Sequence, residues 1–245
     1  KKPIGFMLLF WPCTWGLTLA YDFSNSFYDY IFYLILFFLG SVLMRSAGCI
    51  VNDISDKKFD RKVKRTKNRP IASDKISIRL AIFYTGVLCS FAFLVLINFN
   101  NLTIILALLS MPLAFTYPLM KRFTYWPQLF LGITFNYGLI LGWTSIVSEI
   151  SIAPIILYLG AIFWTLGYDT VYGFQDIKDD EIIGVKSTSI KFKKNPKKFL
   201  FVCYLMLLST LILSGINMQL NFIFYFFVIL IGSHLLFYQI KLLDR

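Results

Sequence analysis

What most constrains this chain is the recurrence of apolar stretches about 17 to 25 residues long, the length at which a helix crosses a bilayer. Eight such stretches run along the sequence, at roughly 5–21, 29–51, 80–98, 101–118, 126–146, 152–175, 199–217 and 221–241. Strands of alternating apolar and polar residues, which an outer-membrane barrel requires, are absent. The expected class is therefore all-α, a polytopic helical bundle in a lipid bilayer. Composition agrees: 58% of residues are hydrophobic and 15% charged, outside the range of soluble domains. The first stretch lacks a basic leader and a small-residue cleavage site and carries Trp11 and Trp15 within it, which argues against a removable signal peptide.

The net charge of +11 admits two readings, nucleic acid or membrane surface, and the position of the charges separates them. All 24 Lys and Arg fall near one end of the spans, in Lys1 and Lys2, Arg45, segment 57–79, Lys121 and Arg122, segment 178–198, Lys241 and Arg245. The opposite connections carry only Asp22, Asp29 and Glu149. By the positive-inside rule the basic face is cytoplasmic. Nucleic-acid binding requires no such sidedness and is not expected. The four cysteines, Cys13, Cys49, Cys89 and Cys203, have no CxxC spacing and read as packing residues, as does the single His234.

Two long hydrophilic insertions, 52–79 and 176–198, break the pattern of minimal loops, and both open with carboxylates on the basic face. In the first, Asn52, Asp56 and Asp60 lie along one helical face, joined by Asp53. In the second, Asp169, Asp176 and Asp180 follow at i, i+7 and i+11, within about 20° of one another on a continuous helix. Like charges at that spacing repel, so a cation is expected between them. All-oxygen donors without His or thiolate favour Mg²⁺, which completes its shell with water and phosphate oxygens. Lys64, Arg65, Arg69, Lys121 and Arg122 are the nearest candidates for phosphate, with Arg69 and Lys121 foremost. An apolar bundle with a metal and diphosphate site at its mouth suits a diphosphate with a hydrocarbon tail. Loss of diphosphate leaves an allylic cation, which aromatic side chains such as Tyr21, Trp143, Trp164, Tyr168 and Tyr172 could shield.

"NDISDKKFD" fits the NDxxDxxxD signature of the UbiA superfamily of intramembrane prenyltransferases, and "YDTVYGFQDIKDDEIIGVKST" resembles its second aspartate motif. With "KPIGFMLLFWPCTWGL", "MRSAGCIVND" and "TYPLMKRFTYWPQLFLG", the chain resembles the 4-hydroxybenzoate polyprenyltransferase branch from residue 2 to 190. The resemblance implies a nine-helix fold around a central cavity with a lateral opening. One transmembrane prenyltransferase domain would occupy 1–245, lacking an N-terminal segment and the last helix. It further implies Mg²⁺ and diphosphate ligation by Asp53, Asp56, Asp60, Asp169, Asp176 and Asp180 with Asn52. Tyr117 and Lys121 would form the YxxxK element. From the reading of cations beside the carboxylates, Arg69 is expected to be catalytic and Arg65 and Arg122 to bind the substrate. Arg45, seven residues before Asn52 on nearly the same face, would meet the carboxylate of the acceptor. The implied reaction is prenylation of 4-hydroxybenzoate by polyprenyl diphosphate, ortho to the hydroxyl, in ubiquinone synthesis. The bilayer expected from composition is a bacterial inner membrane. Rival readings are a family member with a naphthoate, homogentisate or haem acceptor, and a transporter, whose charges would instead lie at the midplane of broken helices.

Overall fold

The computed structural model describes residues 3–24, 26–64 and 66–242, and every regular element among them is helical. A 3₁₀ turn at Pro3–Phe6 leads into α1 (Met7–Ala20), followed by α2 (Phe27–Asp60), α3 (Ile78–Leu96) and α4 (Asn101–Thr116). α4 continues as a 3₁₀ turn, Tyr117–Arg122. Next come α5 (Pro127–Asn136), α6 (Gly138–Val147) and α7 (Ile152–Gly173), which runs through a 3₁₀ turn, Phe174–Asp176, into α8 (Ile177–Ile183). The short α9 (Thr188–Lys191) precedes α10 (Pro196–Asn217) and α11 (Phe222–Ser233).

Among the described residues, seven helical stretches are long and apolar enough to cross a membrane, with α5 and α6 counted as one. The first of the eight expected spans is α1, whose 14 residues rise only about 21 Å. Sequence chemistry sets the boundaries. Ser77 accepts from the amide of Leu80 and Asn100 from that of Thr103, capping α3 and α4. Pro127 and Pro196 open α5 and α10, where a missing N–H costs nothing. The Asn100 amide also donates to the carbonyls of Thr144 and Ser145 and so ties the α3–α4 turn to the end of α6.

Small residues bring backbones together where lipid offers no hydrophobic drive between helices. Gly138 and Gly142 of α6 lie against Cys13 and Leu17 of α1, and a Cβ on Gly142 would collide with the Cys13 carbonyl. Asn136, at the break between α5 and α6, is 1% exposed and donates to the Gly132 and Ala161 carbonyls and to Thr165 Oγ1. That amide compensates the interrupted ladder and joins α5 to α7. The cysteines are free thiols, Cys13 and Cys203 buried, as packing residues should be. His234 is exposed, within a π-helical stretch, His234–Gln239, and its ring lies 5.3 Å from that of Tyr238.

Candidate functional site

α2 does not stop at the membrane surface. Its 34 residues carry Asn52, Asp53, Asp56 and Asp60 on one unbroken helix, as their spacing predicts. Asp56 and Asp60 are buried. Each carboxylate meets a cation from a different part of the chain. Arg69 Nη1 donates to Asp53 Oδ1 at 3.0 Å and Asp60 Oδ2 at 2.9 Å. Lys121 Nζ reaches Asp56 Oδ2 at 2.5 Å, where Asn52 Nδ2 also donates at 3.2 Å. The other oxygen of Asp56, Oδ1, is buried and accepts no hydrogen bond.

Arg69 is delivered by an ordered loop. Thr66 donates to the Asp60 carbonyl, and Ile71 and Ala72 are buried beneath the chain. Arg61 donates to the Ala72 carbonyl and to Asp74, which also pairs with Lys57 at 2.6 Å. The hydrogen bond from Lys57 holds the Asp74 carboxyl below the usual carboxylate range, with Arg61 adding to the effect. Arg122 donates to the Ser55 carbonyl and lies 5.3 Å over the Phe59 ring, engaged along the flank of α2. Arg65 lies outside the described residues.

The second carboxylate group is built differently. Asp169 sits on α7, but the helix tightens into the 3₁₀ turn ending at Asp176, and Asp180 belongs to α8. The straight stripe expected from 100° spacing is therefore interrupted, because a 3₁₀ turn advances about 120° per residue. Asp169 lies close enough to the Arg45 guanidinium for their charges to interact. Among the described residues no three carboxylates, histidines or cysteines converge as a ready metal cage. The donors present nonetheless fit a hard divalent cation: they are all oxygen, and Asp56 Oδ1 has a lone-pair face without a donor.

The Tyr117–Arg122 turn joins the two groups. While the Lys121 side chain reaches Asp56, its carbonyl accepts from the Lys186 amide at 2.8 Å, just past the second motif. Lys186 Nζ donates to the Phe123 carbonyl. Behind that strand of contacts, the Thr188 amide donates to Gln128 Oε1, the Thr188 hydroxyl pairs with that of Thr170, and Ser189 donates to the Thr170 carbonyl. Sequence reading did not single out Lys186, Gln128, Thr170 or Thr188. The only signal was the "GVKSTS" run of small and hydroxyl residues after an acidic helix.

One turn toward the membrane from Asn52 and Lys121, Gly48 and Tyr117 mark the start of a cavity of about 390 Å³. It is lined by α1 to α6 and is almost wholly apolar, with Arg45 at the polar end. Arg45 does not turn out to the interface. Its guanidinium lies 5.2 Å over the Phe135 ring, and its Nε is buried without a partner. Phe37 and Phe99, ring centroids 4.8 Å apart, line the cavity together with residues of α3 and α4. Of the aromatic shields expected, Tyr21, Trp143, Trp164, Tyr168 and Tyr172 all lie outside this lining, which is made by Phe37, Phe93, Phe99, Tyr117, Phe135 and Tyr137. Helical position alone did not reveal which rings face inward.

Membrane-length helices around an apolar chamber, closed at one end by carboxylates and cations, define a multi-pass membrane protein with a site shaped for an amphiphile. The chain belongs to the UbiA prenyltransferase family, whose model matches residues 9–245. It is 43% identical over 235 residues to the protein of Rattus norvegicus named 4-hydroxybenzoate polyprenyltransferase, mitochondrial, covering 96% of this chain and 62% of that one. Proteins of the same name from Homo sapiens and Dictyostelium discoideum are 43% and 42% identical, each over 99% of this chain and over 65% and 52% of their own length. The chain thus spans about half to two thirds of these relatives. In three dimensions it resembles a UbiA homolog from Aeropyrum pernix K1, with TM-score 0.75, 24% identity, and coverage of 94% of this chain and 88% of that one. It likewise resembles a UbiA homolog from Archaeoglobus fulgidus bound to DMAPP and Mg²⁺, with TM-score 0.75, 17% identity, and coverage of 100% and 85%. The relatives' mitochondrial names give no support to a bacterial inner membrane.

Proposed function

We propose that this chain carries the transfer of a polyprenyl group from polyprenyl diphosphate to the ring carbon ortho to the hydroxyl of 4-hydroxybenzoate, a step of ubiquinone synthesis. The observation that carries the reading is an apolar chamber whose Arg45, Gly48 and Tyr117 end lies one helical turn from a carboxylate and cation mouth. Relatives 42–44% identical that share the 4-hydroxybenzoate name support the acceptor. We place the basic mouth on the side of the membrane that holds the soluble acceptor, the bacterial cytoplasm or its mitochondrial counterpart, the matrix. A single prenyltransferase domain over 1–245 is part of the same proposal.

Asp53, Asp56 and Asp60 with Asn52, and Asp176 and Asp180 with Asp169, would hold Mg²⁺. When bound, the metal supplies charge neutralisation to the diphosphate oxygens. The chain's own residues account for the rest. Arg69 and Lys121 are already poised on the carboxylates and can turn their donors to phosphate oxygens as the leaving group gains charge. Tyr117, between Lys121 and the chamber, faces the reacting end of the tail. Arg45 has a buried, partnerless Nε and offers the planar fork that a carboxylate takes up in bidentate fashion. It would set the acceptor ring beside Phe135 with its ortho carbon toward the departing diphosphate. The apolar walls exclude water, so that the ring and not solvent captures the allylic cation. Proton loss from the ring carbon then restores aromaticity, with the released diphosphate or a carboxylate of the mouth as acceptor.

Membranes containing the chain, given radiolabelled 4-hydroxybenzoate and a polyprenyl diphosphate, should form a lipid product only with divalent metal. Asp56→Ala and Asp176→Ala should each lower it by about 10²-fold or more. Turnover of a naphthoate or homogentisate in place of 4-hydroxybenzoate would overturn the acceptor and leave the family reaction. Inactivity with every acceptor, in a folded protein, would overturn the reaction.

A further inference from the structure

Cations at the mouth are consumed by carboxylates: Arg69, Lys121, Lys57 and Arg61 all end on aspartates. A second basic surface follows α9. The segment "KFKKNPKK", Lys191 to Lys198, holds five lysines and no acidic residue, between α9 and the first turn of α10. Lys193 pairs at 2.5 Å with Glu181, which lies outside the segment. Lys193, Lys194, Lys197 and Lys198 are exposed. Beneath them lies a cluster of rings. Phe192 stacks on Phe199 with centroids 3.9 Å apart, Trp126 meets both, and Lys191 Nζ sits 4.4 Å over the Trp126 ring. Aromatic rings at the end of a membrane helix, topped by exposed lysines, match the boundary between acyl chain and headgroup.

We propose that this surface is a binding site for an anionic phospholipid, whose phosphate the lysines receive and whose glycerol and upper acyl carbons lie on the Trp126, Phe192 and Phe199 rings. Topology alone asks for positive charge on one side of the membrane and not for its assembly around an aromatic floor. Charge complementarity identifies the occupant, since the headgroup layer is where anionic phosphates concentrate. The site has a mechanical route to the mouth. The segment continues from α9, whose Thr188 and Ser189 are fastened to Thr170 and Gln128, and from Lys186, whose amide holds the Lys121 carbonyl. An occupied surface therefore braces the second carboxylate loop.

Hydrogen exchange of the unaltered chain tests this in nanodiscs of phosphatidylcholine against discs that also contain phosphatidylglycerol. Protection of 186–198 should rise in the anionic discs and not on adding inorganic phosphate to neutral ones. Protection that is equal in the two discs, or that free phosphate reproduces, overturns the proposal. Replacing Lys193, Lys194, Lys197 and Lys198 by Gln should lower phosphatidylglycerol retained through native mass spectrometry by about fivefold per lysine. Their replacement by Arg should preserve it. Lys62→Gln with Lys67→Gln and Lys75→Gln removes charge from the same face without touching the ring cluster. Equal loss from that variant would make the effect one of general surface charge and overturn the site.

Discussion

The two carboxylate groups stand at ends of membrane helices on the same face, yet one is preformed and the other is jointed. The first rides a single helix to Asp60, with its charges buried against Arg69 and Lys121. The second is spread over a helix, a 3₁₀ turn and a seven-residue helix ending at Gly184, φ +74°, and is fastened by neutral hydroxyls at Thr170, Thr188 and Ser189. A polar group fixed by strong charge pairs keeps its geometry without ligand. The pair thus combines a half carried on one helix and a half carried on three successive helical pieces around one mouth.

The sharpest way to break this contrast is Asp56→Ala. Prenyl transfer should fall by about 10²–10³-fold, and Lys121, its side chain 29% exposed, would lose its partner and destabilise the metal-free fold by about 1–3 kcal/mol. A product assay and detergent-phase thermal unfolding read the two effects separately. Arg69→Gln comes next. It removes the cation that Asp53 and Asp60 share, so metal-free stability should drop by about 1–3 kcal/mol, and divalent metal should restore part of it. No recovery with metal would remove the idea that Arg69 stands where positive charge is needed.

On the jointed side, Gly184→Val forces a branched side chain into left-handed backbone and should cost about 1–2 kcal/mol. It should impair transfer more than unfolding temperature, because the Lys186 link follows two residues later. Thr170→Val removes the hydroxyl pair with Thr188 at about 1 kcal/mol. If it matched Asp56→Ala in activity, the second group would be as rigid as the first. The smallest effect belongs to Asp74→Asn, on a fully solvated clasp. Since the folded Asp74 is depressed by Lys57, its contribution is present at neutral pH and fades as pH falls through that lowered value. Acid unfolding curves of parent and variant should therefore differ near neutrality and merge in strong acid.

Much of this was legible beforehand. Apolar length gave the spans, and the i, i+4, i+8 positions of Asn52, Asp56 and Asp60 gave a helix running past the membrane, because both depend on local periodicity. The break after Gly173 was not legible, since the carboxylate spacing alone suits an uninterrupted helix. Nor could periodicity choose the rings that line the chamber: with 45 aromatic side chains, Phe99 and Phe135 look no different from Trp164 until helices are packed. Arg45 shares α2 with Asn52, which spacing could suggest, but its seat over Phe135 belongs to tertiary structure.

The bond between the Lys186 amide and the Lys121 carbonyl has one more consequence. It is written in the main chain, so nearly any side chain at 186 leaves it intact, and only proline would delete the donor. The register between the two halves of the mouth is thereby insulated from ordinary substitution. The charge at position 186 can be exchanged while the main-chain spacing between Lys121 and the second aspartate loop stays as it is.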